Sequence, residues 1–432
     1  MSKKLFIFII IGVALIGIVG FVAFRLITAK PGERGLRDIL PFGRSPETTP
    51  TVVNPGEENG GVGSNGEAAP GFGEAVSGPG QLAVDAPIAT ISKAPVSGLY
   101  ALARGPKNAS TSPIVRYVER ATGHLYEADL ATGRVVRLTN TTIPKIYEAL
   151  FVERGEGVVL RYLQEGTEVI QTWYGKITPP DKNATSTDEV LASLQGKFLP
   201  EGVSTITVSP GTDRIFYLLP NEAGANGFVA APNGSGERAL LTTQASEWLL
   251  DWPVAGSIVL TTKPSSLTFG SAFELSPTSG AFKRLAGDKR GFTMLANPGF
   301  TATLVGASTG NSMTLAAQAL KQKPAPAPIP AATLPEKCIW SKLSPNKAYC
   351  AMPKTLPAGE YPDAWYQGRV SFSDNLWLID TAGGAAHLFI ADLEALAEVP
   401  VDGTRLALDP EERYLYLINK IDGSLVAVRL KE

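Results

Sequence analysis

The chain has 432 residues, a formal net charge of −2 and 19% charged residues, against a usual share of about a quarter. That balance excludes the basic domain or stripe that a nucleic-acid binder needs. Gly (44) and Pro (33) are both abundant, which suits a chain with many turns and a flexible tether.

The first element is Leu5 to Phe24, LFIFIIIGVALIGIVGFVAF, with no charge and no Pro. About 20 apolar residues in a helix cross the ~30 Å hydrocarbon core, whereas the apolar part of a secretory signal is about 7–15 residues. Residues 1–28 are therefore expected to form a single N-terminal transmembrane anchor. Ile27-Thr28-Ala29 is a weak cleavage pattern, and Gly12, Gly17 and Gly20 make no G-x-x-x-G pair. The flanks conflict over orientation. Lys3 and Lys4 precede the helix and Arg25, Lys30, Arg34, Arg37 and Arg44 follow it, which by the positive-inside rule puts the C-terminal flank in the cytoplasm. A short Lys-bearing tail before an apolar run is the usual start of an exported signal-anchor. With the cysteine pair discussed below, it favours an extracytoplasmic C-terminal domain.

Residues 29–87 are rich in Gly, Pro, Glu, Ser and Thr. Such a stretch cannot bury enough apolar surface to offset its ordering entropy, so a disordered linker is expected. Its root-mean-square reach would be roughly 40 Å.

From residue 88 to 432 the chain alternates β-rich runs with turn clusters. An apolar run, a Ser/Asp/Asn-Pro or Gly turn and a β-branched or aromatic run recur. The copies, in chain order, are Gly98–Glu119, Glu148–Tyr162, Ile206–Leu219, Leu249–Thr262, Met294–Ala307, Cys338–Met352 and Leu406–Ile418. Pro presets φ in these turns, and the Asp, Ser or Asn before it hydrogen-bonds the turn backbone. A second hairpin with a T-x-G-like turn follows several copies: His124–Leu138, Ala272–Leu285 and Leu376–Ile390. Two hairpins per repeat make a four-stranded sheet. The spacing is roughly 44–65 residues, against about 40–50 for known propeller repeats. Lys321–Pro335, KQKPAPAPIPAATLP, reads as a polyproline-like loop. The longest helical candidate, Ala391–Glu398, is too short for a βαβ unit.

With Ser209-Pro210, Ser344-Pro345 and Asp409-Pro410 each followed by an aromatic-rich strand, residues 88–430 resemble the WD40-like and TolB-type β-propeller family. True WD40 Gly-His and Trp-Asp signatures are missing. The resemblance implies an all-β propeller and leaves function open. Seven blades are expected, with six and eight as open counts and a pair of β-sandwiches as the other architecture. The last copy has three obvious strands, and a strand near Ile88–Ile91 would complete it and close the ring.

Cys338 and Cys350 lie on the two arms of one expected hairpin, equally far from its turn. Opposed residues there reach disulfide distance, and a disulfide implies an exported domain. Two buried thiols are the other reading. No metal site is expected, since zinc needs at least three protein ligands, and no cofactor motif is present. Gly306-Ala307-Ser308-Thr309-Gly310 matches the nucleophile elbow G-x-S-x-G, with Asp374 or Asp380 and then His387 in hydrolase order. The elbow needs a strand, a turn and a helix, and here the repeat predicts a hairpin, so Ser308 is a nucleophile candidate only on paper. Asp181, Asn183 and Thr185 form an incomplete calcium loop. Asn108, Asn140, Asn183 and Asn233 head N-x-[ST] sequons. His124 and His387 read as structural. Tyr361, Trp365, Tyr366, Phe372 and Trp377 sit in the long connection before the last repeat. Long loops on rigid scaffolds often bind, and Trp and Tyr are enriched in hot spots. These five are the partner-binding candidates.

Three functions fit. The leading one is a membrane-tethered extracytoplasmic propeller that docks a protein or envelope component. The others are a propeller hydrolase or lyase, and a purely structural envelope protein.

Overall fold

The computed structural model describes residues 82, 86–105, 111–179, 191–320, 326–330, 332–382 and 385–431. The expected anchor, nearly all of the linker and the Asn108 and Asp181–Thr185 motifs lie outside the described residues. Among the described residues no helix is long and apolar enough to cross a membrane.

The strands form seven four-stranded antiparallel sheets. Blade one is β2 (Val96–Arg104), β3 (Ser112–Glu119), β4 (Leu125–Asp129) and β5 (Val135–Arg137). Blade two is β6 (Ile146–Val152), β7 (Gly157–Leu163), β8 (Ile170–Thr178) and β9 (Ser193–Phe198). Blade three is β10 (Thr205–Val208), β11 (Ile215–Asn221), β12 (Gly224–Ala230) and β13 (Arg238–Thr243). Blade four is β14 (Trp248–Val254), β15 (Ser257–Thr262), β16 (Phe269–Leu275) and β17 (Phe282–Arg290). Blade five is β18 (Thr293–Ala296), β19 (Ala302–Ser308), β20 (Met313–Ala319) and β21 (Ala327–Pro328). Blade six is β22 (Cys338–Trp340), β23 (Lys347–Pro353), β24 (Asp374–Asp380) and β25 (Ala385–Ile390). Blade seven takes β26 (Gly403–Leu408), β27 (Tyr414–Asn419) and β28 (Leu425–Arg429) from the end of the chain, and β1 (Ile88–Ser92) as its outer strand. Pairing of Ile88 with Val428 and Thr90 with Val426 completes that sheet. Successive blades touch around the ring, and β26 and β27 touch β2, so the ring is closed. The seven-bladed expectation and the closing strand are both borne out.

The burial pattern explains the sequence pattern. The second strand of each blade lies between its neighbours on both faces, so it reads as a continuous apolar run. β7 (GVVLRYL) and β15 (SIVLTT) are buried over five consecutive residues, and β27 (YLYLIN) likewise. Outer strands such as β9 and β17 are mostly exposed. A hydrophobic cluster fills each blade junction. Val118 and Leu125 of blade one meet Phe151 and Leu160 of blade two. Leu304 and Leu315 of blade five meet Trp340 and Met352 of blade six. Tyr416 and Ile418 of blade seven meet Val115 and Tyr117 of blade one, sealing the ring. Each fully buried side chain of this kind contributes about 1.5–3 kcal/mol relative to exposure. Gly98 permits the close approach of blades one and two, since a Cβ there would lie 2.0 Å from the Ala149 carbonyl oxygen.

The Pro-bearing turns lie at the lower end, between first and second strands, and lace neighbouring blades together. Glu153 N donates to Thr212 O at 2.7 Å. Asn297 Nδ2 donates to Pro345 O at 3.0 Å. Glu412 accepts from Ser341 Oγ at 2.8 Å and from Lys342 N at 2.7 Å.

Two expectations need correction. Lys321–Pro335 is not all loop. Ala327–Pro328 forms the outer strand of blade five, where Pro is tolerated because an edge residue needs no outward N–H. Leu82, placed in the linker by its sequence, donates its N–H to Gly133 O at 2.8 Å and packs at the junction of blades seven and one.

Candidate functional site

The longest connection at the upper end runs from β23 to β24, residues 354–373, and carries α1 (Asp363–Tyr366). It crosses blade five and is pinned at both ends. Towards blade four, Asp363 Oδ2 accepts from Ser266 N at 2.6 Å. Those hydrogen bonds hold the Asp363 carboxyl below its ordinary range, against a larger opposing effect of burial. Gly291 leaves room for the strap, for a Cβ there would sit 2.9 Å from Tyr361 O. Towards blade seven, Trp365 Nε1 donates to Asp402 Oδ2 at 2.9 Å and Phe372 N donates to the same oxygen at 3.0 Å.

Beneath the strap lies a buried ion cluster. Lys337, just before β22, is fully buried. Its ammonium donates to Asp374 Oδ2 at 2.8 Å, to Gly403 O at 3.0 Å and to Asp402 Oδ1. It also lies 5.3 Å from the Trp365 ring centre and 5.2 Å from that of Phe372, within cation–π range. Asp374 Oδ2 accepts Gly403 N at 2.7 Å, and Asp402 N donates to Asn419 Oδ1 at 3.0 Å. Two carboxylates share the Lys337 ammonium, and Lys420 Nζ lies 5.1 Å from the Trp365 ring centre. Burial pushes the Asp374 carboxyl up to about 6, with the Lys337 charge opposing. Its Oδ1 has no hydrogen-bond partner. Asp251 on β14 is likewise raised to about 6 by burial. Nearby, the Tyr366 hydroxyl donates to Glu336 Oε1, and burial raises both groups above their ordinary values.

This arrangement tells structural use from chemical use. Every polar bond named to Lys337 and Asp402 runs to a neighbouring blade, the strap or the chain beside them. Breaking such a buried pair costs about 3–5 kcal/mol, so the cluster fastens blade six to blade seven and holds the strap.

The five aromatic candidates are mostly inside. Tyr361, Trp365 and Phe372 are 0, 6 and 2% exposed, and with Met313 and Leu334 they form a small core under the strap. Tyr366 is partly buried against it, and Trp377 packs at the blade five–six junction. Tyr361, Trp365 and Phe372 pack beneath the strap and hold it from below. The strap's exposed crest is Gln367, Gly368 and Arg369.

Ser308 ends β19, and Thr309 N donates to Ser312 O across a hairpin turn to β20. The elbow's helix does not form there. Ser308 Oγ approaches Gly310 O at 3.5 Å. Asp374 is engaged by Lys337, and His387 sits on the exposed outer strand β25, opposite Leu378. The Ser-Asp-His order of the sequence is not assembled into one site. Cys338 and Cys350 face each other across β22 and β23 and form a disulfide, as expected. Among the described residues, no group of three His, Cys, Asp or Glu is placed to hold a metal.

Sequence reasoning missed the Lys337 cluster. Asp374 and Asp402 lie 37 and 65 residues from Lys337, and each of the three sits at or just before the start of a strand, a position that ordinarily reads as solvent-exposed.

No family model matches the chain, and no curated protein does. Solved structures do. An oligogalacturonate lyase in complex with manganese shows a TM-score of 0.47 at 8% identity, covering 79% of this chain and 99% of that one. TolB from Acinetobacter baumannii shows 0.39 at 7%, covering 67% and 78%. The β-propeller domain of the Trilobed protease from Pyrococcus furiosus shows 0.43 at 10%, covering 77% and 98%. At these identities no side chain has a counterpart from which to inherit a role.

Proposed function

We propose that the protein is a docking module: a rigid seven-bladed propeller, held to a membrane by residues 1–28 on an extracytoplasmic side, that binds a protein or envelope component. The observation that carries this reading is the preorganised upper face. Its longest loop is fixed by a buried ion cluster, by the hydrogen bond from Ser266 N to Asp363 and by its own aromatic core, so little conformational freedom is lost when a partner lands. The apolar run at Leu5–Phe24 supports the tether. The Cys338–Cys350 disulfide supports an oxidising compartment.

The test is crosslinking of the full-length chain in intact cells, read by mass spectrometry. Deleting Tyr361–Trp377 would remove the core under the strap, so a Gln367→Ala/Arg369→Ala variant, which changes only the crest, is the better control. A reproducible protein partner crosslinked to propeller residues is expected. No reproducible crosslink in cells that fold and insert the chain would contradict the reading.

A further inference from the structure

Outer strands are the propeller's exposed hydrogen-bonding edges, and folded proteins usually blunt such edges with bulges, Pro, charge or shortness. Six of the seven do so here. β1, β13 and β25 each pair through a register shift, and β17 through two, with Lys283, Arg284, Lys289 and Arg290 along it. β21 contains Pro328 and spans two residues, and β5 spans three. β9 is different. Its six residues pair with β8 in unbroken register, Ser193 opposite Thr178 through Phe198 opposite Trp173.

The direction of its main chain follows from its ends. Leu194 N donates outward to Thr141 Oγ1 at 3.1 Å. Leu199 N donates inward to Thr172 O at 2.9 Å. Strand alternation then turns the N–H and C=O of Gly196 and Phe198 away from β8. The segment before blade two reaches only the start of this edge, where Thr139 bridges Ala192. From Gln195 to Phe198 the edge is exposed.

A groove opens at the upper end of this edge. It has a volume of ≈490 Å³ and is lined by Leu163, Phe198, Tyr162, Glu165 and Glu201 among others. Leu163 and Phe198 are 52% and 58% exposed. Gln171, buried in its wall, donates through Nε2 to Glu201 Oε1 at 3.0 Å and to Gln164 Oε1 at 2.9 Å, fixing the carboxylate. Glu165 and Glu168 stand exposed in the adjoining turn. The facing cation is Lys145, 3.6 Å from Glu165 in a fully hydrated pair. Glu165 and Glu201 outnumber Lys145 in the lining of this apolar slot, and Lys197 stands exposed on β9 beside Phe198.

We infer that this groove and the β9 edge together bind an extended peptide segment of a partner, added as a further strand on blade two, with a large apolar side chain between Leu163 and Phe198 and a Lys or Arg facing Glu165 and Glu201. Strand addition supplies affinity through main-chain bonds, and the pocket supplies specificity. The inference rests on the docking reading and names its partner chemistry.

The test is panning of a displayed random-peptide library on the full-length chain in lipid nanodiscs, with empty nanodiscs subtracted. The expected consensus is a large apolar residue beside Lys or Arg. A synthetic consensus peptide should lose about tenfold or more in affinity against Phe198→Ser and against Glu201→Gln, with the circular dichroism spectrum unchanged. A Gln195→Pro variant should weaken it as well, by kinking the edge. An acidic consensus, no enrichment over empty nanodiscs, or equal binding to Phe198→Ser overturns the inference. If the groove fails while intact-cell crosslinks persist elsewhere on the propeller, only the groove is lost. If both fail, the docking reading goes with it.

Discussion

The upper end of blades six and seven and the outer edge of blade two use charge in opposite ways. At the first, Lys337, Asp374 and Asp402 are fully buried and bonded to one another, to Trp365 and to the backbone. At the second, Glu165, Glu168 and Glu201 stand in water beside two half-exposed apolar side chains. The buried charges join blades six and seven, and the plainer residues form the open surface. Perturbed carboxylates mark functional sites often enough to be a guide. Here the raised Asp374 lies in a blade junction, where the lysine and the backbone N–H of Gly403 occupy its Oδ2 and its Oδ1 has no hydrogen-bond partner.

The largest expected effect breaks the first region. Lys337→Met leaves two buried carboxylates without a cation, and denaturant unfolding should show a loss of about 3–5 kcal/mol. The triple variant Lys337→Met/Asp374→Asn/Asp402→Asn removes the charges together and should recover part of that loss. Equal losses in the two would mean that shape, not charge, holds the junction.

Next comes the disulfide. Cys338 and Cys350 are 12 residues apart, and replacing both by Ser should cost about 2–4 kcal/mol. The loss should appear in blade six first, as faster amide exchange of β22 and β23.

The pH response is smaller and has a definite sign. The Asp374 carboxyl is raised to about 6 in the folded chain, from an ordinary 3.8. The folded state therefore binds this proton more readily than the unfolded one. The ionised form opposes folding above pH 6, and stability rises as pH falls from 6 towards 4, by on the order of 1–3 kcal/mol. Asp251 acts in the same direction. Thermal unfolding across this range should show the rise in the wild type and a shallower one in Asp374→Asn. An Asp374→Asn slope equal to wild type would remove the cluster from the explanation.

The smallest effect on stability belongs to the second region. Phe198→Ser changes a side chain that is 58% exposed, and unfolding should move by no more than about 0.5 kcal/mol. A larger loss would make Phe198 a packing residue and close the groove as a docking surface.

The contrast also shows what the sequence carries. Blade order was legible because each blade repeats one physical problem: a second strand covered on both faces, so VVL, SIVL and YLYLI runs, and a tight first turn, so Ser209-Pro210 and Asp409-Pro410. The closing strand at Ile88–Ile91 was legible because blade seven lacked a strand, and the disulfide because its cysteines flank one turn symmetrically. The ion cluster was not legible. Its partners meet only when blades six and seven pack, and burial cannot be read from a Lys that precedes a strand. The packing of the aromatic loop was not legible for the same reason: its composition suits a surface and a core equally, and only the strap across blade five buries Tyr361, Trp365 and Phe372. The groove was hidden because Leu163 and Phe198 lie on different strands of blade two, and the regularity of β9 stands out only beside six blunted edges.

On the proposed reading the buried cluster builds the propeller and the exposed edge meets the partner. The most direct measurement is intact-cell crosslinking of Phe198→Ser and Lys337→Met side by side, normalised to the amount of folded protein. Phe198→Ser is expected to lose partner crosslinks at wild-type abundance, while Lys337→Met loses abundance and keeps its crosslinks per folded molecule. Wild-type crosslinking by Phe198→Ser, with a selective loss in folded Lys337→Met, would contradict it and make the cluster the functional site.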